Sequence, residues 1–148
     1  MRDLVNEARE IATKAHQGQL DKTGAPYIGH PARVAGHVAQ HAAGEDLEIA
    51  RAVAWLHDVV EDTRVSLGDL AQQFPDEIVA AVDAMTKRAD EERDAYYRRV
   101  RSNRIARAVK QADLDDNTDP TRTAQLDPAT RQRLASKYEH ARHVLSGN

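Results

Sequence analysis

The chain has 148 residues, a formal net charge of −3 and no cysteine. That length accommodates one compact domain with its own core, and the lack of thiols excludes disulfides and thiolate metal sites, leaving His, Asp, Glu and backbone oxygen to hold any metal. The mild charge excludes attraction of nucleic acid or anions by the surface as a whole, so capture of an anion has to be local.

The opening segment MRDLVNEARE lacks the apolar stretch of a signal peptide. No run approaches the roughly 18 apolar residues of a membrane span, so a cytoplasmic protein without membrane contact is expected. Leu4, Val5, Ala8, Ile11, Ala12 and Ala15 recur at helical spacing and predict an amphipathic helix over residues 2–17, stopped at Gly18. Residues 18–29, GQLDKTGAPYIG, hold three glycines and a proline and predict a shaped loop. His30-Pro31 opens a second helix to about residue 43, because proline is tolerated in a first helical turn. After Gly44, Asp46 is the expected N-cap of a third helix over residues 47–62.

Ser66 can cap a short helix ending near Phe74, and Pro75-Asp76-Glu77 begins another reaching about Lys87. Residues 91–117 are helical in composition, with a break expected at Ser102-Asn103. Asp127-Pro128 caps and opens a last helix to about Leu145. No segment alternates with period two, so the fold class is all-α, in one domain over residues 1–148.

The third helix carries the chemistry. In AWLHDVVEDT, residues 54–63, the spacing of Ile49, Val53, Leu56 and Val60 forms a core stripe. Measured from His57, Glu61 lies about 40° around the helix, Asp58 about 100° and Asp62 about 140°, so the four polar groups share one face. Ala50 and Ala54 lie in the same sector one to two turns earlier, where small side chains let another helix come close. A divalent ion would account for three carboxylates crowded together, since like charges this near raise one another's pKa. The alternative is a helix C-terminus with a solvated acidic end, which the helix dipole opposes.

LHDVVEDT resembles the HD-domain hydrolase part of the RelA and SpoT family of alarmone enzymes. Residues 15–19, AHQGQ, and 22–31, KTGAPYIGHP, resemble that family's upstream segments. Thr86-Lys87 and VKQAD at 109–113, with Asn117, resemble its downstream ones. The resemblance implies an HD-domain helical bundle whose metal is held by His30, His57, Asp58 and Asp113. Imidazole and carboxylate ligation suits Mn²⁺, Fe²⁺, Zn²⁺ or Co²⁺, and the resemblance favours Mn²⁺. It also implies that Glu61 and Asp62 handle a water, that Lys22, Lys87 and Asn117 bind substrate, and that the substrate is ppGpp or pppGpp, losing its 3′-pyrophosphate. On that resemblance a small stand-alone hydrolase is expected, since these residues leave no room for the family's synthetase domain. An HD phosphohydrolase acting on another phosphorylated nucleotide and a non-catalytic nucleotide-binding module are the rival readings.

Two positions depart from the family pattern. Asp21 and Leu114 stand where arginines are usual, removing two phosphate forks, while Asp115, Asp116 and Asp119 add negative charge nearby. Arg104 and Arg107 are candidates to replace the missing arginines. Residues 88–110 hold eight basic side chains against four acidic ones, which a solvated helix face explains without nucleic acid. His37 and His41 lack a third ligand and the glutamate of HExxH, so packing or exposed roles are expected. His16 fits either a helix C-cap or a hydrogen bond supporting the site. Tyr138 is expected to pack on the core with its hydroxyl at the rim. The sequence specifies no oligomeric state.

Overall fold

The computed structural model describes residues 2–147; Met1 and Asn148, the ends of the expected domain, lie outside the described residues. All regular structure among them is helical, with one isolated bridge between Leu20 and Pro26. Helix α1 (Leu4–Ala15) is capped by Asp3, whose carboxylate accepts from the Asn6 N–H, and it closes at His16 before Gly18 turns the chain at φ 84°. The following loop is built by Asp21. Its Oδ1 accepts from the Thr23 N–H and hydroxyl at 2.8 and 2.7 Å and from the Ala25 N–H at 3.1 Å, which fixes a tight turn carrying Lys22.

Helix α2 (Gly29–His37) starts close to the expected residue, but its last part tightens into a 3-10 turn, Val38–Gln40, rather than continuing as α-helix to residue 43. Helix α3 (Glu45–Leu56) begins after Gly44, whose φ of 61° favours glycine. Asp46 is therefore not the N-cap: it lies inside the first turn and accepts both arms of the Arg104 fork at 2.7 and 2.9 Å.

The predicted continuous helix over 47–62 is two helices. Helix α3 stops at Leu56, and α4 (Val59–Asp62) resumes after His57 and Asp58. Here the His57 Nδ1–H donates to the Ala54 carbonyl at 2.6 Å and Asp58 takes φ −108°, ψ −1°. The apolar spacing runs across this break unchanged, so periodicity carried no sign of it.

Helix α5 (Leu67–Ala71) opens with a complete Ser66–Asp69 capping box, and α6 (Asp76–Met85) follows Pro75 and ends before Lys87. The expected break at Ser102-Asn103 separates α7 (Arg93–Arg101) from α8 (Arg104–Asn117), with Asn103 as the N-cap. An unforeseen short helix, α9 (Pro120–Thr123), is capped by Asp119 and precedes α10 (Pro128–Leu145), capped by Asp127 as expected.

Helix α3 is the centre, packed by α1, α2, α6 and α8. Val53 and Leu56 of its stripe are fully buried, as are Ala50, Ala52 and Ala54, Ala8 and Ala12 of α1, and Ala106 and Ala112 of α8. Alanine at these contacts lets backbones approach closely, and this brings His30 of α2, His57 at the end of α3 and Asp113 of α8 within reach of one another. No described helix is long and apolar enough to cross a membrane.

Arg99 of α7 ties off the end of α6. It donates to the carbonyls of Asp83, Ala84 and Thr86 and forks onto Glu91 at 2.9 and 2.7 Å. The Arg99 guanidinium in turn holds the Glu91 carboxyl down to about 2. Arg99→Ala is expected to destabilise the fold by about 1–3 kcal/mol, because the Ala84 carbonyl and the Glu91 carboxylate lose their guanidinium, while the Asp83 and Thr86 carbonyls keep Arg88 as a donor. Urea unfolding monitored by circular dichroism measures this.

Candidate functional site

The helix break lets two consecutive side chains point into one cleft. His57 is fully enclosed and Asp58 is partly so, and from α2 and α8 come His30 and Asp113, both buried. One ligand atom from each of His30, His57 and Asp113 lies within 4.8 Å of the others. Asp58 Oδ2 is 3.1 Å from His57 Nε2, and that same Nε2 is 3.5 Å from Asp113 Oδ1. The Asp58 carboxylate also accepts a hydrogen bond from the Tyr27 hydroxyl.

His57 decides what the cluster fits. Its Nδ1–H is committed to the Ala54 carbonyl, and its buried Nε2 has no hydrogen-bond partner. An enclosed imidazole nitrogen, unpaired and facing two carboxylates, is a lone pair placed for a cation. His30, His57 and Asp113 can thus hold a divalent metal, with Asp58 beside them. Burial pulls the His57 imidazole down, but Asp58 and Asp113 outweigh it and hold the group well above its ordinary value.

A ring of outer contacts positions the cluster. Buried Asp116 accepts from His30 Nδ1 at 2.6 Å, Arg33 Nε at 2.8 Å and Arg122 Nη1 at 2.9 Å. Lys110 Nζ lies 2.9 Å from Asp113 Oδ2 and 5.5 Å from the Tyr96 ring centre. Asn117 donates its amide to Asp113 Oδ1 at 3.2 Å, so this expected substrate-binding residue also braces a candidate ligand. The His16, Tyr27, His30 and His57 rings form a row, with neighbouring centres 4.9, 5.7 and 5.3 Å apart.

Glu61 and Asp62 reach the same cleft from α4. Glu61 Oε1 accepts from the Lys87 backbone N–H at 2.8 Å, which places Lys87 next to it. Burial, with Asp58 and Asp62 nearby, raises the Glu61 carboxyl, and burial with Asp58 raises Asp62. Lys22, Lys87 and Asn117 all line the cleft, whose volume of about 480 Å³ suits a small molecule.

Several expectations change. Arg104 is spent on Asp46, and neither it nor Arg107 lines the cleft; Arg93 and Arg122 do. The added acids do not bare their charge to a ligand. Asp116 is neutralised by two arginines, Asp115 pairs with His41 at 2.6 Å and Arg142 at 3.2 Å, and Asp119 caps α9. His16 is the C-cap residue of α1 but is buried, bonded through Nδ1 to Gln19 Oε1 at 2.9 Å. Tyr138 lies against the core at the cleft wall, as expected. Lys110 and Asp116, not singled out in the sequence as supports, each stand three residues from Asp113, a spacing that shares a helix face and would have found them. Arg122 had no comparable signal, because α9 itself was not foreseen.

Comparison with known proteins places this geometry. Residues 8–146 match the family described as HD domain. The chain is 43% identical over 84 residues, 57% of its length, to a probable GTP pyrophosphokinase of Mycobacterium leprae, of which the match covers 10%. Over 87 residues, 58% of the chain, it is 37% identical to a guanosine-3′,5′-bis(diphosphate) 3′-pyrophosphohydrolase of Borreliella burgdorferi, of which the match covers 12%. The matches thus span about a tenth of these relatives' length. A solved structure described as a metazoan ortholog of SpoT that hydrolyses ppGpp shares the fold, with a TM-score of 0.77 at 23% identity over 99% of this chain and 88% of that one.

Proposed function

This chain belongs to the HD domain family, and on that premise we propose that it is a metal-dependent hydrolase that removes the 3′-pyrophosphate of ppGpp or pppGpp. The observation carrying the proposal is the unpartnered His57 Nε2 facing Asp58 and Asp113 at the base of a cleft lined by Lys22, Lys87 and Asn117. Relatives named for this hydrolysis support the substrate. Residues 1–148 act as one domain in this reading.

His30, His57, Asp58 and Asp113 hold the ion, taken as Mn²⁺ from the resemblance to the alarmone enzymes. A divalent ion held there would supply Lewis-acid chemistry, polarising phosphoryl oxygen and strengthening water as a nucleophile near neutral pH. Glu61 and Asp62 orient that water and take its proton. Water oxygen bonds to the phosphorus carried on the 3′-oxygen, the phosphorus–O3′ bond breaks, and the 3′-oxygen takes up a proton. GDP or GTP and pyrophosphate result. Lys22 and Lys87 meet phosphate charge, and Asn117 holds the ribose side while bracing Asp113.

Purified protein with Mn²⁺ and ppGpp is expected to release pyrophosphate and GDP. Orthophosphate release, or no turnover, defeats the claim. Asp21 and Leu114, in place of the usual arginines, favour a second reading: an HD phosphohydrolase for another phosphorylated nucleotide. A nucleotide panel in the same assay identifies that substrate.

Asp116→Asn is expected to weaken Mn²⁺ binding by about 10–100-fold, because the carboxylate that orients His30 through Nδ1 loses its charge. Isothermal titration with Mn²⁺ measures it, and an unchanged affinity would remove His30 from the ligand set or Asp116 from its support.

A further inference from the structure

The cleft carries more positive charge than the metal cluster and the Lys22 turn account for. Arg93, in the first turn of α7, and Lys137, midway along α10, both line it. Apart from Lys22, the cleft's other lysines and arginines are already committed: Lys110 to Asp113, Arg122 to Asp116, and Lys87 to the Arg88 carbonyl at 3.3 Å. Arg93 and Lys137 have no carboxylate partner among the described residues, and neither has Lys22. Asp94, adjacent to Arg93, bonds instead to His140 at 2.8 Å. Lys137 is half-buried, with its ammonium 5.8 Å from the Tyr138 ring centre.

We propose that Arg93 and Lys137, together with Lys22, form a second anion subsite that takes a phosphoryl group of the nucleotide other than the one cleaved. This rests on the phosphorylated-nucleotide reading of the cleft. It also accounts for the departures in sequence. Asp21 and Leu114 remove two arginines near the ligands, Asp21 to build its turn and Leu114 to fill the core, and positive charge is supplied from α7 and α10 instead.

The electrostatics agree. Burial lowers the Lys137 ammonium below its ordinary value, and Arg93, Lys110 and Lys22 lower it further. Like charges gathered without a counter-charge gain from a bound dianion, which relieves their repulsion and accepts charge-assisted hydrogen bonds from each. A guanidinium fork beside ammonium groups matches a phosphoryl group with several acceptor oxygens.

The test compares the full chain with the R93S/K137S double variant on two substrates: ppGpp, and guanosine 3′-diphosphate, which lacks the 5′-phosphates. The ratio of kcat/KM for ppGpp to that for guanosine 3′-diphosphate is expected to fall about ten- to hundredfold, since charge-assisted contacts to the distal phosphates are lost. A ratio that does not move overturns the subsite. Titration of the metal-free full chain with inorganic pyrophosphate gives a readout independent of turnover. Binding that weakens at least about tenfold in the double variant, with an unchanged melting temperature, supports the subsite; equal binding overturns it. If neither guanosine substrate is hydrolysed, the proposed function fails while the pyrophosphate titration still decides the subsite.

Discussion

With Glu61→Gln and Asp62→Asn combined, pyrophosphate release from ppGpp is expected to fall by about 10²–10⁴-fold, the usual worth of positioned proton transfer. Mn²⁺ affinity and melting temperature should stay near wild type. The two acids occupy a single helical turn beyond the break and reach the cleft, outside the core that α3 organises. Both substitutions keep the shape of the side chain, and the amide oxygen that replaces Glu61 Oε1 can still accept from the Lys87 N–H. The proposed ligands are untouched, so lost turnover with retained metal separates an enzyme from a binding module. Full turnover in the variant would strip both acids of a catalytic role.

The same acids fix the direction of a pH effect. Burial raises both carboxyls above their ordinary values, and a base works only when deprotonated. Activity is therefore expected to fade, as pH falls, at a point above the roughly pH 4 of an ordinary carboxylate. A kcat/KM profile in acid buffers reads this limb, and it should vanish from the residual activity of the double variant.

Asp113→Asn is expected to act on both metal binding and stability. Asp113 receives Lys110 on one oxygen and His30 on the other, with His57 Nε2 at 3.5 Å. Without its charge, partly buried Lys110 loses its ion-pair partner, at a cost of up to about 3–5 kcal/mol, the range for breaking one side of a buried pair. Loss of one of the four proposed ligands should lower Mn²⁺ affinity to the limit of isothermal titration. Denaturant unfolding of the metal-free proteins isolates the first effect, and titration of the folded variant the second. A variant as stable as wild type in the absence of metal would mean that Lys110 finds another counter-charge.

Much of the helical architecture was legible because helix signals are local. Ser66 and Asp127 cap within a few residues of where they stand, the break at Ser102-Asn103 falls where two weak helix formers meet, and the stripe containing Val53 and Leu56 follows from spacing alone. The Asp46 expectation failed because a glycine at positive φ already supplied the turn into α3, leaving Asp46 free to pair with Arg104. The expected helix through His57 and Asp58 failed because a side chain took the Ala54 carbonyl, a competition that hydrophobic periodicity does not record.

By itself the sequence determined the all-α class, the residue types able to bind a cation, and their order along the chain, since caps, periodicity and motif spacing are properties of neighbouring residues. Only the tertiary structure decided which of those groups meet. His30 and Asp113 are 83 residues apart and come together because alanine-rich faces let α2, α3 and α8 approach. It also decided that Asp116 is neutralised, that Arg104 is occupied elsewhere, and that Arg93 and Lys137 face the cleft unpaired. Charge partners are chosen by distance in space, which spacing along the chain does not encode.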